Sequence, residues 1–207
     1  MPDPFTYLTP ESAVSSELKE QGSRFITHLS PVSGAEEAMA FLESLRKRYH
    51  DAAHHCWAYR LGWAETFACR SSDNGEPNHT AGEPILRSME ELGVSDASLV
   101  VVRYFGGVKL GTGGLARAYK SAARQVLEGA DLRTVVLTEA WVVSLPYGAE
   151  GSLRHAAALS GVELCEQMFG EVVSLVAKVP KGAAGLFAGR LERLSDQWKG
   201  TVRWKLK

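Results

Sequence analysis

The sequence predicts an α+β chain in two units, residues 1–133 and 134–207. Three observations carry that expectation. Segments with strand-like and helix-like hydrophobic spacing follow one another along the chain. Leu99-Val100-Val101-Val102 is an unbroken apolar run, as expected of a strand covered on both faces. From Thr138 onward the order reads β-α-β-β-α-β, the ferredoxin-like arrangement.

Each element has a local reason. Residues 12–20 and 24–29 read as a hairpin turning at Gly22. Ser33-Gly34 opens a helix running to Tyr49, with Ala38, Phe41, Leu42 and Leu45 on one face and Arg46, Lys47 and Arg48 at its C-terminal end. Residues 54–62 and 66–70 read as paired strands. Ser71 to Gly82 is rich in turn residues, and Pro84 then starts a helix that stops at Gly93. A glycine cluster follows the 99–102 strand and leads into a helix from about Gly114 to Gly129. In the second unit, Thr138 to Leu145 is a strand and Glu150 to Leu159 a short helix. Residues 162–169 and 171–179 form a hairpin around Gly170. Ala183 to Leu194 is a helix and Thr201 to Lys207 the last strand.

Composition narrows the classes. Of 207 residues, 45% are apolar and 23% charged, and the formal net charge is −1. That is ordinary globular composition and excludes a uniformly basic nucleic-acid coat, while leaving room for a local basic patch. No apolar run is long enough to span a membrane, and Met1 to Leu8 lacks a signal pattern. Three scattered cysteines do not make a disulfide framework, so a reducing cytoplasmic setting is expected.

The strongest chemical signal is the segment from Arg103 to Arg117, Arg-Tyr-Phe-Gly-Gly-Val-Lys-Leu-Gly-Thr-Gly-Gly-Leu-Ala-Arg. Glycines permit positive φ, so backbone N–H groups can converge on an anion, and a helix start adds unpaired N–H groups and a positive dipole end. Arg103, Lys109, Gly111, Thr112, Gly113, Gly114 and Arg117 are the expected anion-binding residues. Lys120 and Arg124 extend them along one helix face toward RNA or another phosphate-bearing partner. The alternative is a glycine-rich crossover required only for packing. The Walker pattern fails, because Thr112-Gly113 stands where Lys-Ser/Thr is needed. Gly111-x-Gly113-x-x-Ala116 matches the dinucleotide pattern, but the tight strand-to-glycine turn and the preceding βαβ unit are missing.

The segment from Ser72 to Pro84 brings Asp73, Glu76 and His79 into one loop. Asp73 with Glu76 suits a hydrated cation, and Glu76 with His79 suits acid–base work. Asn-Gly and Gly-Glu-Pro are equally turn chemistry leading into a capped helix. In His54-His55-Cys56, strand alternation puts His54 and Cys56 on one side and His55 on the other. That splits any metal cluster, and no metal, cofactor or catalytic residue is assigned. The strand after Gly170 offers no aromatic on either face, which disfavours RNA stacking there. Lys178, Arg203 and Lys205 still give a modest basic face for a phosphate or an acidic partner.

The chain resembles the IMPACT/YigZ family along nearly its whole length. The resemblance rests on His54-His55-Cys56-Trp57-Ala58, on Ser72-Asp73-Asn74-Gly75-Glu76-Pro77 with Thr80-Ala81-Gly82, and on Arg103-Tyr104-Phe105-Gly106-Gly107 through Leu110-Gly111-Thr112-Gly113-Gly114-Leu115 with Ala118-Tyr119. It implies an N-terminal domain like ribosomal protein S5 domain 2 and a C-terminal domain like a terminal domain of elongation factor G. It also implies a translation-linked role, with no settled biochemical function for bacterial members. Together with the glycine loop and basic helix face, the expectation is a non-enzymatic factor whose partner is RNA, the ribosome or a translation-related protein. Kinases on the S5-like fold keep a phosphoryl or nucleotide enzyme open as an alternative, and a pure protein-interaction module is a third. Asn74, His79 and Lys120-Ser121 depart from the Asp, Gly and Gly-Gly often found in that family. Partner binding by eukaryotic relatives involves a domain outside the resemblance and is not carried over.

Overall fold

The structure, a computed structural model, describes residues 4–207 and divides into two units. One comprises residues 7–135, the other residues 136–207 with 4–6.

The larger unit is built on strands β1 (Thr6–Pro10), β2 (Val14–Glu20), β3 (Ser23–Pro31), β4 (His54–Leu61), β5 (Ala68–Ser72), β6 (Ala97–Tyr104) and β7 (Leu132–Val136). Its helices are α1 (Ala35–Arg48), α2 (Gly82–Glu91) and α3 (Gly111–Glu128). Five strands form an antiparallel sheet in the order β2-β3-β6-β4-β5, and β1 pairs with β7. The apolar run on β6 is central and covered on both sides. Leu99 and Val101 pack with Ile85 and Met89 of α2 and with Leu115, Tyr119 and Ala122 of α3. Val100 and Val102 pack with Leu42 and Leu45 of α1.

Two strands and two helix starts differ from expectation. Strands β1 and β7 carry no clear alternation and were not anticipated. Helix α2 starts at Gly82 rather than Pro84, because Asp73 reaches across to cap it: Oδ1 accepts the N–H groups of Ala81 (2.9 Å) and Gly82 (2.8 Å). Helix α3 starts at Gly111, one turn before Gly114. Glycine lowers helix propensity by about 1 kcal/mol, which hides that first turn in the sequence.

The smaller unit contains β8 (Thr138–Leu145), α4 (Glu150–Ala158), β9 (Glu163–Phe169), β10 (Val173–Pro180), α5 (Ala184–Gln197) and β11 (Arg203–Leu206). Its sheet order, β11-β8-β10-β9, realises the expected β-α-β-β-α-β arrangement. Trp141, Val143 and Leu145 of β8 alternate inward with Val173, Leu175 and Ala177 of β10. They meet Leu153 of α4 and Phe187 and Leu191 of α5. No helix among the described residues is long and apolar enough to cross a membrane.

Part of the glycine cluster serves packing. A Cβ on Gly106 would lie 1.9 Å from the Gly22 carbonyl carbon and 2.2 Å from the Ser23 nitrogen. The glycine loop therefore rests directly on the β2–β3 turn. Gly106→Ala is expected to lower stability by about 1–3 kcal/mol through overpacking. A denaturant midpoint equal to that of the parent protein would contradict this contact.

Candidate functional site

Strand β6 ends at Tyr104, and the chain runs through an exposed loop into α3. Gly107 (φ +87°) and Gly111 (φ +68°) turn the backbone with nothing close to either. Gly111, Thr112 and Gly113 form the first turn of α3, and all three are exposed. An α-helix offers no internal acceptor to the amides of its first turn. Among the described residues no side chain caps this start, and no acidic residue stands in its first turn. Arg117 bends back along the turn: its Nη1 lies 3.5 Å from where a Gly113 Cβ would sit. Lys109 is exposed in the loop just before the turn. Among the described residues neither cation forms an ion pair.

The remaining expected cations are placed differently. Lys120 Nζ meets Glu91 Oε1 of α2 at 2.6 Å. Arg124 contacts Glu91 at 3.4 Å and Glu128 at 2.7 Å. The hydrogen bond from Lys120 holds the Glu91 carboxyl below its usual range. The expected basic helix face is thus largely neutralised by α2. Arg103 leaves the set altogether. It is 5% exposed, its Nη1 donates to Glu76 Oε1 at 2.6 Å, and its Nη2 donates to Ser23 Oγ at 3.2 Å. The guanidinium lies over the Phe25 and Phe105 rings, 5.5 and 5.7 Å from their centroids.

The three acid–base candidates are separated. Asp73 is spent on the α2 start, where its Oδ2 also accepts the His79 N–H at 2.9 Å. Burial opposes its ionisation, but the amides of Gly82, His79 and Ala81 outweigh that and keep the carboxyl below its ordinary value. Glu76 is buried beneath the loop. His79 is on the surface with a positive φ and pairs with Glu83 at 3.0 Å. The Asn74-Gly75 pair takes positive φ at both positions, as turn chemistry requires.

Around Glu76 the structure assembles residues the sequence only partly indicated. Glu76 Oε1 also accepts the Tyr119 hydroxyl at 2.8 Å, and His54 Nε2 lies 3.9 Å away. The Cys56 thiol donates to the Asp73 carbonyl (2.9 Å) and contacts the Tyr119 oxygen (3.3 Å). His54 Nδ1 donates to the Asn74 carbonyl, and Asn74 Oδ1 accepts the His55 N–H. Burial pushes the Cys56 thiol up to about 12, which removes it as a nucleophile near neutral pH. Burial first, then the neighbouring Cys56 and Glu76, push the Tyr119 phenol far above its usual range. Strand alternation had put His54 and Cys56 on one side, as found. The long-range partner Tyr119, on another element, had no local signal. Among the described residues no three His, Cys, Asp or Glu side chains are arranged to hold a metal ion.

The Impact N-terminal domain profile matches residues 21–127. The chain belongs to the IMPACT family. An IMPACT family member from Haemophilus influenzae is 34% identical over 191 residues, covering 92% of this chain and 93% of that protein. The IMPACT family member YigZ of Escherichia coli is 43% identical over 123 residues, 59% of this chain and 60% of its own. The crystal structure of a hypothetical protein at 30% identity superposes with a TM-score of 0.62 and covers 96% of both chains. Both the uncapped α3 start and the network around Glu76 lie inside the Impact N-terminal domain.

Two outcomes follow from this geometry. Arg103→Ala leaves a buried carboxylate facing Tyr119 without its cation and is expected to cost about 3–5 kcal/mol in chemical denaturation. A loss within ordinary surface range would show that the pair is not a structural anchor. Asp73→Ala is expected to cost about 1 kcal/mol above pH 5. Because folding lowers this carboxyl's pKa, its contribution is complete above the ordinary value of 3.8 and disappears as pH falls through the folded value. The parent and variant stability curves should therefore converge in acid, and a constant gap down to the lowest pH would refute the cap.

Proposed function

We propose that this IMPACT-family chain is a non-enzymatic, translation-associated factor of the cytoplasm that binds RNA or the ribosome by seating a phosphate at the start of α3. One observation carries the reading: Gly111, Thr112 and Gly113 present amides to solvent in an uncapped first turn, with Arg117 folded alongside. Such a turn suits an anion through both its N–H groups and its dipole. Lys109 and Arg117 supply the cationic charge, while Lys120 and Arg124 contribute less because Glu91 holds them. Family membership supports the translation link. Asp73, Glu76 and His79 are each engaged separately, so the geometry lends no support to the phosphoryl-transfer alternative.

With a net charge of −1, binding has to be local and strongly salt-dependent. Single-stranded RNA titrated at low salt should bind. Neutralising Lys109 and Arg117 together should weaken it about tenfold or more and flatten the salt slope by roughly 1–2. Neutralising Lys120 and Arg124 should change affinity much less. No binding at low salt, or equal losses from the two pairs, would remove the proposed seat.

A further inference from the structure

Among the described residues, the smaller unit's own helices α4 and α5 pack on one face of its sheet and leave the other without a helix. Alternation on β8 and β10 turns Val142, Ser144, Ser174 and Val176 to that face, opposite the buried Val143 and Leu175. On the edge strand β11, Arg203 pairs across from Ser144 and Lys205 from Val142. A cleft of about 800 Å³ lies here, lined by Val142, Ser144, Val172, Lys199, Arg203 and Lys205 among others.

Its charge is unevenly compensated. At the β9 edge Lys178 meets Glu163 at 3.5 Å, and Lys207, which follows β11, meets Glu166 of β9 at 3.6 Å. On the β11 side, Lys199, Arg203 and Lys205 are exposed and form no ion pair among the described residues. Arg203 and Lys205 are two residues apart on one face, roughly 7 Å along the strand, so they repel each other in the free protein. Between them and the hairpin, Val172 is 44% exposed, and Met168, across from Ser174, is 69% exposed.

We infer that this cleft is a docking surface for an acidic protein segment with apolar side chains. The cationic rim complements carboxylates, and the valine floor accepts aliphatic anchors, which is the layout of a protein interface: apolar centre, polar rim. A phosphate backbone would answer the cations but leave Val142, Val172 and Met168 without a partner. Strands β8 and β10 turn no aromatic to this face, and the Trp204 ring that borders the cleft is partly packed against the core, so an extended stacking platform for RNA bases is missing among the described residues. This surface is independent of the phosphate seat proposed on α3.

The test uses the full chain with two labelled probes, a short peptide alternating glutamate and leucine, and oligouridylate RNA. The peptide should bind, and Arg203→Glu with Lys205→Glu should weaken it by about tenfold or more. Val172→Ser should weaken this peptide while leaving an all-glutamate peptide unaffected. Neutralising Lys109 and Arg117 should leave peptide binding unchanged. All substituted positions are exposed, and unchanged melting temperatures would verify folding. Peptide affinity indifferent to the β11 reversal would overturn the inference. So would a loss of oligouridylate binding as large as the loss of peptide binding, which would make the face a nucleic-acid surface.

Discussion

The Arg103–Glu76 ion pair is the constraint on which the larger unit's functional end depends. It joins the last turn-rich loop before α2 to the end of β6, and through Tyr119 it reaches α3. Burying two charges is costly, and their attraction offsets that cost only where geometry and extra hydrogen bonds are good. Here Ser23 takes a second N–H of the guanidinium, Tyr119 adds a donor to the carboxylate, and two aromatic rings cover the cation. The pair contributes more to placement than to net stability. It fixes where the glycine loop leaves the sheet and where α3 must begin.

That placement divides the glycines by role. Gly106 is needed where the loop touches the Gly22 backbone, and its N–H donates to the same Ser23 hydroxyl that receives Arg103. Gly111 turns the chain into the helix with a positive φ and open space around it. Packing therefore accounts for Gly106, while the proposed anion seat rests on Gly111 to Gly113.

Much of the fold was legible because it is written in local periodicity. The β6 run, the amphipathic α1 and the alternating strands of the smaller unit could each be read within a single window. β1 and β7 could not, since their pairing joins opposite ends of the unit. At the site, the glycine cluster and the helix after it were legible, but the first turn at Gly111 and the fate of the cations were not. Lys120 and Arg124 form a basic stripe in α3's own periodicity, and only α2, about thirty residues earlier, supplies Glu91 to meet it. Arg103 was more accessible: it continues the inward alternation of Leu99 and Val101, so extending the strand by two residues would have buried it. Tyr119, Cys56 and Glu76 were visible as quoted residues, yet their meeting is a tertiary fact.

Helices α2 and α3 make the contrast that matters for function. They run side by side in the same direction: Ala116 borders a small cavity with His79, Glu83 and Arg87 near the start of α2, and Lys120 and Arg124 reach Glu91 at its end. Two positive helix ends therefore point the same way, with α2 over β4 and β5 and α3 over β2 and β3. The first is answered by Asp73 and by Glu83 in its opening turn. The second has neither cap nor acid, and three of its first four residues are glycines. Leaving a helix start uncapped forgoes roughly 1 kcal/mol, and each glycine costs about as much again. The helix persists because Tyr119, Leu115 and Ala122 anchor it from the inner face, so its first turn contributes little to its stability. A segment held from within and unsatisfied at its tip is one that an external anion can complete without rearranging the fold.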